Sequence, residues 1–449
     1  ADVSNTLKSD VISYKGVTPD VQRVQALGKG ATIDLELFDV LPYPASVKSV
    51  TRGANGAMSL RGDLPGFDKA QFAMSLVDDA FSMSVRIPEE RLYVMVRSLG
   101  DGTHLMFRID DSQTEPCGGT PARPPLLPPG EAPELHDHKA TPATAGGATT
   151  GGCVQPNPTW DIAVVYTPAS RSLAGGTSAI RSLLQLYIEE ANLTYENSQI
   201  FARLRMVYCN EVNYSEGPDL DTCLNDVWGI PGVINIRNNY YADSVMLITK
   251  DVGGGCGLAW CCSGTASGVS EWNCWGRTFI HEHGHNLGCA HNPEDADCGG
   301  CYSYARGHRF FAQGDGYKTI MSYNNATGDF GDIWNFSNPN VNHLGVATGV
   351  SNARDNARAI NNRRFIFNNF TQSHFEVWVD FHYGLLLPQN GTFVEPFRTL
   401  TQGNSYLIEG VNELEMPTMY IKEGTTAATF TFDKPMMVRT CGGTVTIGQ

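Results

Sequence analysis

Three histidines and one glutamate near the middle of the chain have the spacing of a catalytic metal site. His281 and His285 are four residues apart, so a helix places both side chains on one face, one turn from each other. Glu282 is rotated by about 100° from His281 and can reach a metal-bound water without being a ligand. Gly288 permits a left-handed residue that ends the helix, and the chain can then return His291 as a third ligand. Three neutral imidazoles leave a fourth position for water, as in catalytic zinc sites.

Two nearby residues refine this prediction. His283 lies two residues from His281 on the opposite side of the predicted helix, Arg277–Leu287, so we interpret it as a packing or surface histidine. Met321 follows an apolar residue and stands two residues before Tyr323. Alone it would be ordinary core filler. At this distance from the histidines it resembles the Met-turn that lies beneath the zinc of metzincin proteases.

Composition excludes several classes of protein. The chain has 449 residues, 41% hydrophobic and 18% charged, with a formal net charge of -15. This length predicts two to four domains. The acidic balance argues against nucleic-acid binding, which needs basic surfaces. No apolar run approaches the roughly 20 residues that span a bilayer, and the first residues lack the basic start and apolar block of a signal peptide.

Cysteine content favours a secreted protein from which the signal peptide has been removed. In a reducing cytosol, a cysteine cluster would suggest structural zinc. Here C-x-x-C pairs do not recur at zinc-ribbon spacing, and Cys298 with Cys301 is an isolated case. We therefore expect disulfides that brace the active-site region of an extracellular enzyme. Seven of the 12 cysteines form this cluster: Cys256, Cys261, Cys262, Cys274, Cys289, Cys298 and Cys301.

The N-terminal part is predicted to be rich in β-strands and shows no catalytic constellation. Polar and apolar residues alternate in Ser82–Ile87, which places Met83, Val85 and Ile87 on one face of a strand. Two further apolar runs of strand length follow before residue 110. From residue 121 to residue 156, Pro, Gly, Ala and Thr dominate. This composition predicts an exposed linker and a site of activation cleavage.

The central part alternates strands and helices before the metal helix, which predicts a sheet with the metal below its edge. Strands are predicted at Trp160–Tyr166, Leu204–Tyr208 and Ser244–Thr249, and helices around Ile180–Ala191 and Ala353–Phe367.

Residues 373–449 are predicted to form a small β module. Glu376–Phe381 and Thr429–Phe432 alternate in polarity, and glycines and prolines separate them. The stretch from Gly391 to Leu400 resembles the opening of β-helical repeats in bacterial surface proteins. A plain stabilising β appendage is the alternative.

Residues 157–371 resemble the reprolysin-like (adamalysin-type) metzincin endopeptidases, in particular secreted bacterial members. The histidine motif carries this resemblance together with Asp161–Pro168, Gly255–Ala259 and Phe336–Asn340. It implies a zinc endopeptidase with a preceding propeptide. The expected fold is α+β: a β-rich propeptide over 1–120, a metzincin α/β catalytic domain over 157–372 with the zinc helix under a mixed sheet, and a small C-terminal β domain over 373–449.

Three positions in this domain have a role only through the resemblance. Asn292 follows the third histidine, where adamalysin-type enzymes usually carry Asp, and this leaves the subfamily open. Tyr323 is like the tyrosine that astacin-like and serralysin-like enzymes use as an extra ligand or oxyanion donor, and a core tyrosine is the alternative. The segment Gly257-Leu258-Ala259-Trp260 resembles the edge strand that pairs with substrate. An ordinary strand end beside a disulfide is the alternative there.

Cys117 resembles the cysteine of the switch segment in adamalysin-type propeptides. A thiolate binds zinc at about 2.3 Å and takes the position that water needs. Gly118 and Gly119 let the backbone approach the cleft. The alternative is a sixth disulfide, since 12 cysteines pair evenly. If Cys117 is on zinc, one more cysteine must be free, and Cys289 is a candidate.

Together these features predict a secreted, monomeric zinc metalloendopeptidase that acts on proteins or peptides and is held latent by its own propeptide. A binding or adhesion protein on an inactive metzincin fold is the alternative, and Glu282 argues against it because a binding module needs no base. A hydrolase of non-peptide amides is another. Calcium is a further candidate cofactor at Asp295–Asp297 and Asp329–Asp332, where solvated loop acids are the alternative.

Overall fold

The computed structural model describes residues 8–38, 41–53, 56–113, 117–118, 149–150, 152–263, 266–295, 299–324, 330–368, 370–384, 386–408 and 415–448. Most of the predicted linker, residues 121–148, lies outside the described residues. Within the described ranges, every helix is too short or too polar to cross a membrane.

The N-terminal part forms one antiparallel sheet of eight strands, with a short helix α1 (Val21–Gln25). Neighbouring strands follow each other in the chain, except that the first strand closes against the eighth. The order across the sheet is β1-β8-β7-β6-β5-β4-β3-β2. The strands are β1 (Val11–Val17), β2 (Thr32–Leu35), β3 (Tyr43–Arg52), β4 (Met58–Asp63), β5 (Gln71–Val77), β6 (Ala80–Ile87), β7 (Leu92–Ser98) and β8 (His104–Ile109).

A two-stranded hairpin, β9 (Thr149–Thr150) and β10 (Cys153–Val154), precedes the central sheet. The central sheet has the order β12-β11-β13-β15-β14. Its first four members are parallel and β14 runs antiparallel at the edge, so the predicted mixed sheet is present. The strands are β11 (Thr159–Tyr166), β12 (Arg203–Glu211), β13 (Ser244–Thr249), β14 (Gly257–Ala259) and β15 (Ser267–Glu271).

Helices and small strands complete the central domain. The helices are α2 (Pro168–Leu173), α3 (Thr177–Asn197), α4 (Leu220–Asp226), α5 (Val233–Asn239), α6 (Gly276–Asn286) and α7 (Asn356–Phe367). Between α6 and α7 lie β16 (Arg309–Ala312), β17 (Asp315–Lys318), β18 (Phe330–Asp332), β19 (Asn342–His343) and β20 (Val346–Ala347).

Both faces of strand β6 are buried, which the alternation in its sequence did not predict. Its apolar residues, such as Val85, join the core of the N-terminal domain. Its polar residues, Ser82 and Ser84, are also buried, because this face packs on helix α3 of the central domain. Ser182 of α3 donates a hydrogen bond to Ser82 at 3.0 Å. The polar face of β6 is therefore an interface with the central domain and not a solvated surface.

The C-terminal residues form a parallel three-stranded sheet, β21 (Glu376–Val379), β22 (Thr418–Thr426) and β23 (Met437–Ile447), with helix α8 (Leu400–Tyr406) between the first two. Consecutive parallel strands are the arrangement that a β-helical winding produces. The predicted strand at Thr429–Phe432 is wrong, since these residues belong to the connection between β22 and β23. A disulfide joins Cys153 in β10 to Cys441 in β23.

Glu190 of α3 is a buried acid at the interface of the two larger domains. Burial raises its pKa to about 7, and the nearby Arg86 and Arg97 offset only part of that effect. Helix α6 comes so close that a side chain in place of Gly276 would collide with the Glu190 carboxylate. The folded protein therefore keeps a proton on Glu190 at pH values where the unfolded chain, with an ordinary pKa, has lost it.

We expect the contribution of Glu190 to stability to fall as the pH rises from about 4.5 to about 7. Below this pH range Glu190 is protonated in both the folded and the unfolded state. Above it, the unfolded chain has lost the proton, whereas the folded protein must either keep the proton or bury a negative charge, and both cost free energy. Glu190→Gln removes that dependence, so its melting temperature should exceed that of the parent at pH 8 and converge with it towards pH 5.

The matched control is Glu196→Gln, an exposed glutamate of the same helix. Thermal unfolding followed by circular dichroism measures all three proteins. A Glu190→Gln difference that stays constant from pH 5 to pH 8 would contradict the assignment.

Candidate metal centre

The helix that carries the histidine motif is α6, and its end has the geometry that the glycine predicts. Helical backbone stops at Asn286, and Gly288 adopts φ +99°. A side chain at position 288 would also meet the Cys301 sulfur at 2.6 Å. Glycine is needed there for both conformation and space, and the turn it makes returns His291 towards the helix.

His281, His285 and His291 bring one ring nitrogen each to a common point. The Nε2 atom of His291 lies 3.0 Å from Nε2 of His281 and 3.0 Å from Nε2 of His285. All three side chains are buried. Burial, and then the neighbouring His285 and His291, hold the pKa of His281 well below its usual range. Neutral imidazoles that converge in this way are the donor set that zinc prefers.

Backbone carbonyls fix the tautomers of two of these histidines. Nδ1 of His281 lies 2.8 Å from the carbonyl oxygen of Ile320, and Nδ1 of His285 lies 2.9 Å from that of Cys289. Each Nδ1 therefore carries the proton and donates it, so the Nε2 lone pair points to the shared centre. The residues present fit a zinc ion on this ground.

Met321 lies directly beneath α6, where the Met-turn resemblance places it. It is fully buried, and a side chain added to Gly284 would meet its sulfur at 2.6 Å. Glycine at position 284 thus lets the turn approach the helix. The same turn supplies the Ile320 carbonyl that holds His281.

Tyr323 and Asn292 follow the Met-turn and the third histidine, respectively. The hydroxyl of Tyr323 lies 2.8 Å from Nε2 of His291, inside the site and not in a separate core. Asn292 accepts a hydrogen bond from the Tyr323 backbone N–H at 3.1 Å. The residue that departs from the family pattern therefore positions the tyrosine.

Cys117, from the N-terminal part, enters this cluster and is not in a disulfide. Its sulfur lies 3.4 Å from Nε2 of His291 and also contacts the Tyr323 hydroxyl. The ligand atoms of Cys117 and the three histidines all lie within 4.8 Å of one another. Burial raises the pKa of the Cys117 thiol, as does the Glu282 carboxylate. A thiolate in this position thus needs a cation beside it.

The edge strand contacts the same segment. Gly118 donates its backbone N–H to the carbonyl oxygen of Gly257 at 2.7 Å. Gly257 begins β14, which is the edge of the central sheet. Leu258, Ala259 and Trp260 are buried, so side chains of β14 point into the protein while its backbone faces the incoming chain.

Glu282 lies between the metal cluster and the edge strand. It is fully buried. A side chain on Gly257 would meet its Oε1 atom at 2.9 Å, so the carboxylate lies directly beside the strand. Its neighbour His283 faces away, where Nδ1 lies 2.7 Å from the hydroxyl of Tyr195, and burial lowers the pKa of His283 to about 3. His283 is the packing histidine that its spacing predicted.

Sequence reasoning missed a charged group behind the metal cluster. Arg277 donates to the carbonyl oxygens of Ile320 and Ser322, and its Nε atom pairs with Asp332 at 2.7 Å. Lys318 pairs with the other oxygen of Asp332 at 3.1 Å. Arg277 precedes His281 by four residues, so helical spacing could have placed it on the ligand face. Asp332 was a calcium candidate, but it is engaged by these two cations.

Disulfides brace the region around the site, as expected. Cys256 bonds to Cys274 beside the edge strand, and Cys262 bonds to Cys301 behind the helix end. The parity argument required a further cysteine outside the disulfides, and Cys289, the candidate, is one of several such cysteines among the described residues. Those are Cys117, Cys209, Cys223, Cys261 and Cys289, and Cys298 lies outside the described residues.

The central domain is similar in sequence to known proteins. Residues 157–337 match the sequence family Reprolysin_5, described as metallo-peptidase family M12. A peptidyl-Asp metalloendopeptidase of Stenotrophomonas maltophilia is 32% identical over 215 residues, which are 45% of this chain and 50% of that protein. A peptidyl-Asp metalloendopeptidase of Xanthomonas campestris is 29% identical over 281 residues, which are 60% of this chain and 63% of that protein. The chain thus spans less than two thirds of either relative. These matches confirm the resemblance that the motifs indicated.

Among solved structures, metalloproteinase-II from Bacteroides fragilis aligns with 64% of this chain and 87% of its own, at 12% identity and a TM-score of 0.37. A TM-score of this size supports no argument from that structure.

We expect the purified full-length chain to bind one zinc ion and to lose it when a histidine of the cluster is replaced. His285→Ala removes one of three converging nitrogens, so zinc content measured by elemental analysis should fall well below one per chain. His283→Gln, on the opposite side of the same helix, is the matched control and should keep zinc. Full zinc occupancy in His281→Ala, His285→Ala and His291→Ala alike would refute the assignment.

Proposed function

We propose that this chain is a secreted zinc endopeptidase in a latent form, since residues 157–337 match a reprolysin-like metallo-peptidase model of family M12. One observation carries the proposal: the Cys117 sulfur lies among the three histidine nitrogens, beside Glu282. Those histidines are the proposed zinc ligands, and Cys117 is the proposed zymogen switch. Residues 1–120 are then the propeptide, 157–372 the catalytic domain and 373–449 an accessory domain.

The proposed catalysis depends on residues that surround the cluster. Zinc held by the histidines would lower the pKa of a bound water to about 7 and polarise the substrate carbonyl. Glu282 accepts the proton of the attacking water and later delivers it to the leaving amine. Its burial beside the cluster keeps bulk water from competing for that proton. The hydroxyl of Tyr323 donates to the oxygen that becomes negative as the carbonyl is attacked.

Substrate would bind along the edge strand β14. The contact of Gly118 with the Gly257 carbonyl marks a backbone hydrogen-bonding position that an extended peptide can use. Backbone pairing gives affinity without depending on side chains, so selectivity must come from the pockets on either side of the scissile bond. In the latent form the segment around Cys117 occupies this position.

The relatives' name suggests the preferred residue. Both are called peptidyl-Asp metalloendopeptidases. We infer that this chain, too, hydrolyses bonds next to aspartate in protein substrates. The alternative of a binding or adhesion protein on the same fold is less well supported, because a binding module has no use for the buried Glu282 carboxylate beside the donors.

Glu282→Gln should keep zinc and fold while peptide hydrolysis falls by about 10²- to 10⁴-fold, the usual contribution of a general base. The assay is cleavage of casein by the processed enzyme, with and without a chelator. Glu211→Gln, a partly exposed glutamate at the end of β12, is the control and should retain activity. Near-parental turnover of Glu282→Gln would refute the role of Glu282.

Cys117→Ser in the full-length chain should relieve latency, because a serine hydroxyl is a poor substitute for a thiolate on zinc. The expected result is casein cleavage, or self-cleavage within residues 121–156 detected by mass spectrometry, without added protease. Cys261→Ser, another cysteine outside the disulfides, is the control and should stay latent. If Cys117→Ser folds normally and remains as silent as the parent, the switch assignment is wrong.

A further inference from the structure

Two buried cations share one carboxylate immediately behind the metal cluster. Arg277 and Lys318 both pair with Asp332, at 2.7 and 3.1 Å. All three side chains are nearly inaccessible to solvent. Two positive charges against one negative charge leave this group with one positive charge in excess. An unbalanced buried charge is costly, so the group favours a further anion nearby.

In the latent form the N-terminal domain supplies that anion. Asp111 follows the last strand of the N-terminal sheet, and its Oδ2 atom accepts the backbone N–H of Asp332 at 3.3 Å. Its own carbonyl oxygen accepts from Lys318 Nζ at 3.1 Å. Arg86 of the same domain lies 3.7 Å from the Asp111 carboxylate and would leave with it. Removal of the N-terminal domain takes away Asp111 and Arg86 together, so the net charge of the group stays positive while the acceptor atoms that face Lys318 and the Asp332 N–H are lost.

The donors that Asp111 uses would then become available. Lys318 has three ammonium donors. One goes to Asp332 and one to the carbonyl oxygen of Phe330 at 2.8 Å, both within the catalytic domain, and the third goes to Asp111. The backbone N–H of Asp332 is likewise used by Asp111. An incoming carboxylate would find one ammonium donor and one amide donor.

This group is adjacent to the proposed metal centre. Arg277 donates to the carbonyl oxygen of Ile320 at 3.1 Å, and the same oxygen holds the His281 ring. Phe330 and Asp332 belong to the segment after the Met-turn, which the family resemblance makes the wall of the pocket for the residue after the scissile bond. Cys117 follows Asp111 by six positions in the chain, so neighbouring parts of the N-terminal domain contact this wall and the metal cluster.

A nearby arginine is a weaker candidate for binding an anion. Arg309 donates to the Tyr323 carbonyl oxygen at 3.2 Å and also borders the site. It already faces two carboxylates, Asp295 at 3.1 Å and Glu294 at 3.6 Å. Its charge is balanced within the catalytic domain, and the N-terminal domain contributes no carboxylate to it in these contacts.

We propose that Lys318 and the Asp332 backbone N–H, held by Arg277 and the Asp332 carboxylate, form the pocket that selects an aspartyl side chain after the scissile bond. Asp111 occupies both donors in the latent form: its carboxylate accepts from the Asp332 N–H, and its backbone carbonyl oxygen accepts from Lys318. The inference rests on the proposed endopeptidase function and gives its specificity a structural origin. Lys318 contacts the substrate, whereas Arg277 positions Asp332.

The test uses the processed enzyme and three peptides that differ only in the residue after the scissile bond: Asp, Asn or Leu. Lys318→Met should lower kcat/KM for the Asp peptide by about 10- to 100-fold, the size expected for one hydrogen bond between charged groups. The ratio of Asn to Leu cleavage should change less than about threefold, so the readout is the preference for Asp and not the overall activity. Lys318→Arg keeps the charge and should retain most of the preference for Asp. An unchanged ratio of Asp to Asn cleavage in Lys318→Met would overturn the proposal.

A second measurement needs no altered enzyme and decides the case if Lys318→Met fails to fold. Two synthetic peptides spanning residues 108–118, the natural sequence and its Asp111→Asn form, are compared as inhibitors of the processed parent enzyme. The natural peptide should inhibit about tenfold more strongly, and equal inhibition would overturn the proposal. If the parent enzyme cleaves no peptide and no casein, the proposed function itself fails. If it cleaves the Asp and Asn peptides equally well, the endopeptidase function stands, and the preference for aspartate fails together with this inference.

Discussion

The convergence of three imidazole nitrogens on one point constrains much of the surrounding structure. Two of the rings are held through their other nitrogen by backbone carbonyls, one from the turn at Ile320 and one from Cys289 just past the helix end. For these carbonyls to be in place, the helix must end before Gly288, which makes the reversing turn, and the turn at Met321 must approach Gly284 closely. One requirement therefore accounts for the two glycines, the turn and the neighbouring disulfides. The Nε2 lone pairs of the histidines must point towards a shared cation.

The N-terminal domain, which brings Cys117 to this cluster, is attached to the central domain by contacts elsewhere in the structure. The sheet packs on helix α3 through polar pairs such as Arg61 with Glu189, at 2.6 Å, and Arg97 with the Tyr187 hydroxyl, at 2.9 Å. Such buried pairs stabilise the docked state when complete, and each leaves an unsatisfied group when the partners separate. Docking is therefore specific and also reversible in principle, since neither surface is purely apolar.

Features that depend on local sequence patterns could be predicted, whereas features that depend on contacts between distant segments could not. The histidine spacing, the glycine at the helix end and the strands of the central sheet are local patterns, and the structure has them where predicted. The burial of Ser82 and Ser84 was not predictable, because polar alternation cannot distinguish solvent from a polar partner domain. Arg277, Lys318 and Asp332 come from three separate segments, so only folding brings their charges together. Thr429–Phe432 has strand-like alternation in a connection, where local preference is overridden by the winding of the parallel sheet.

The disulfide between Cys153 and Cys441 closes a covalent ring around the entire central domain. Cys117 is the only cysteine before this ring begins, and it is not in a disulfide. A peptide-bond cut inside the ring would nick the molecule without releasing a piece, as long as the disulfide stays oxidised. A cut between positions 118 and 152 would instead detach the entire N-terminal domain, with no covalent link left behind. The placement of one cross-link thus separates cuts within residues 153–441, which leave the two pieces joined, from cuts before Cys153, which release a fragment.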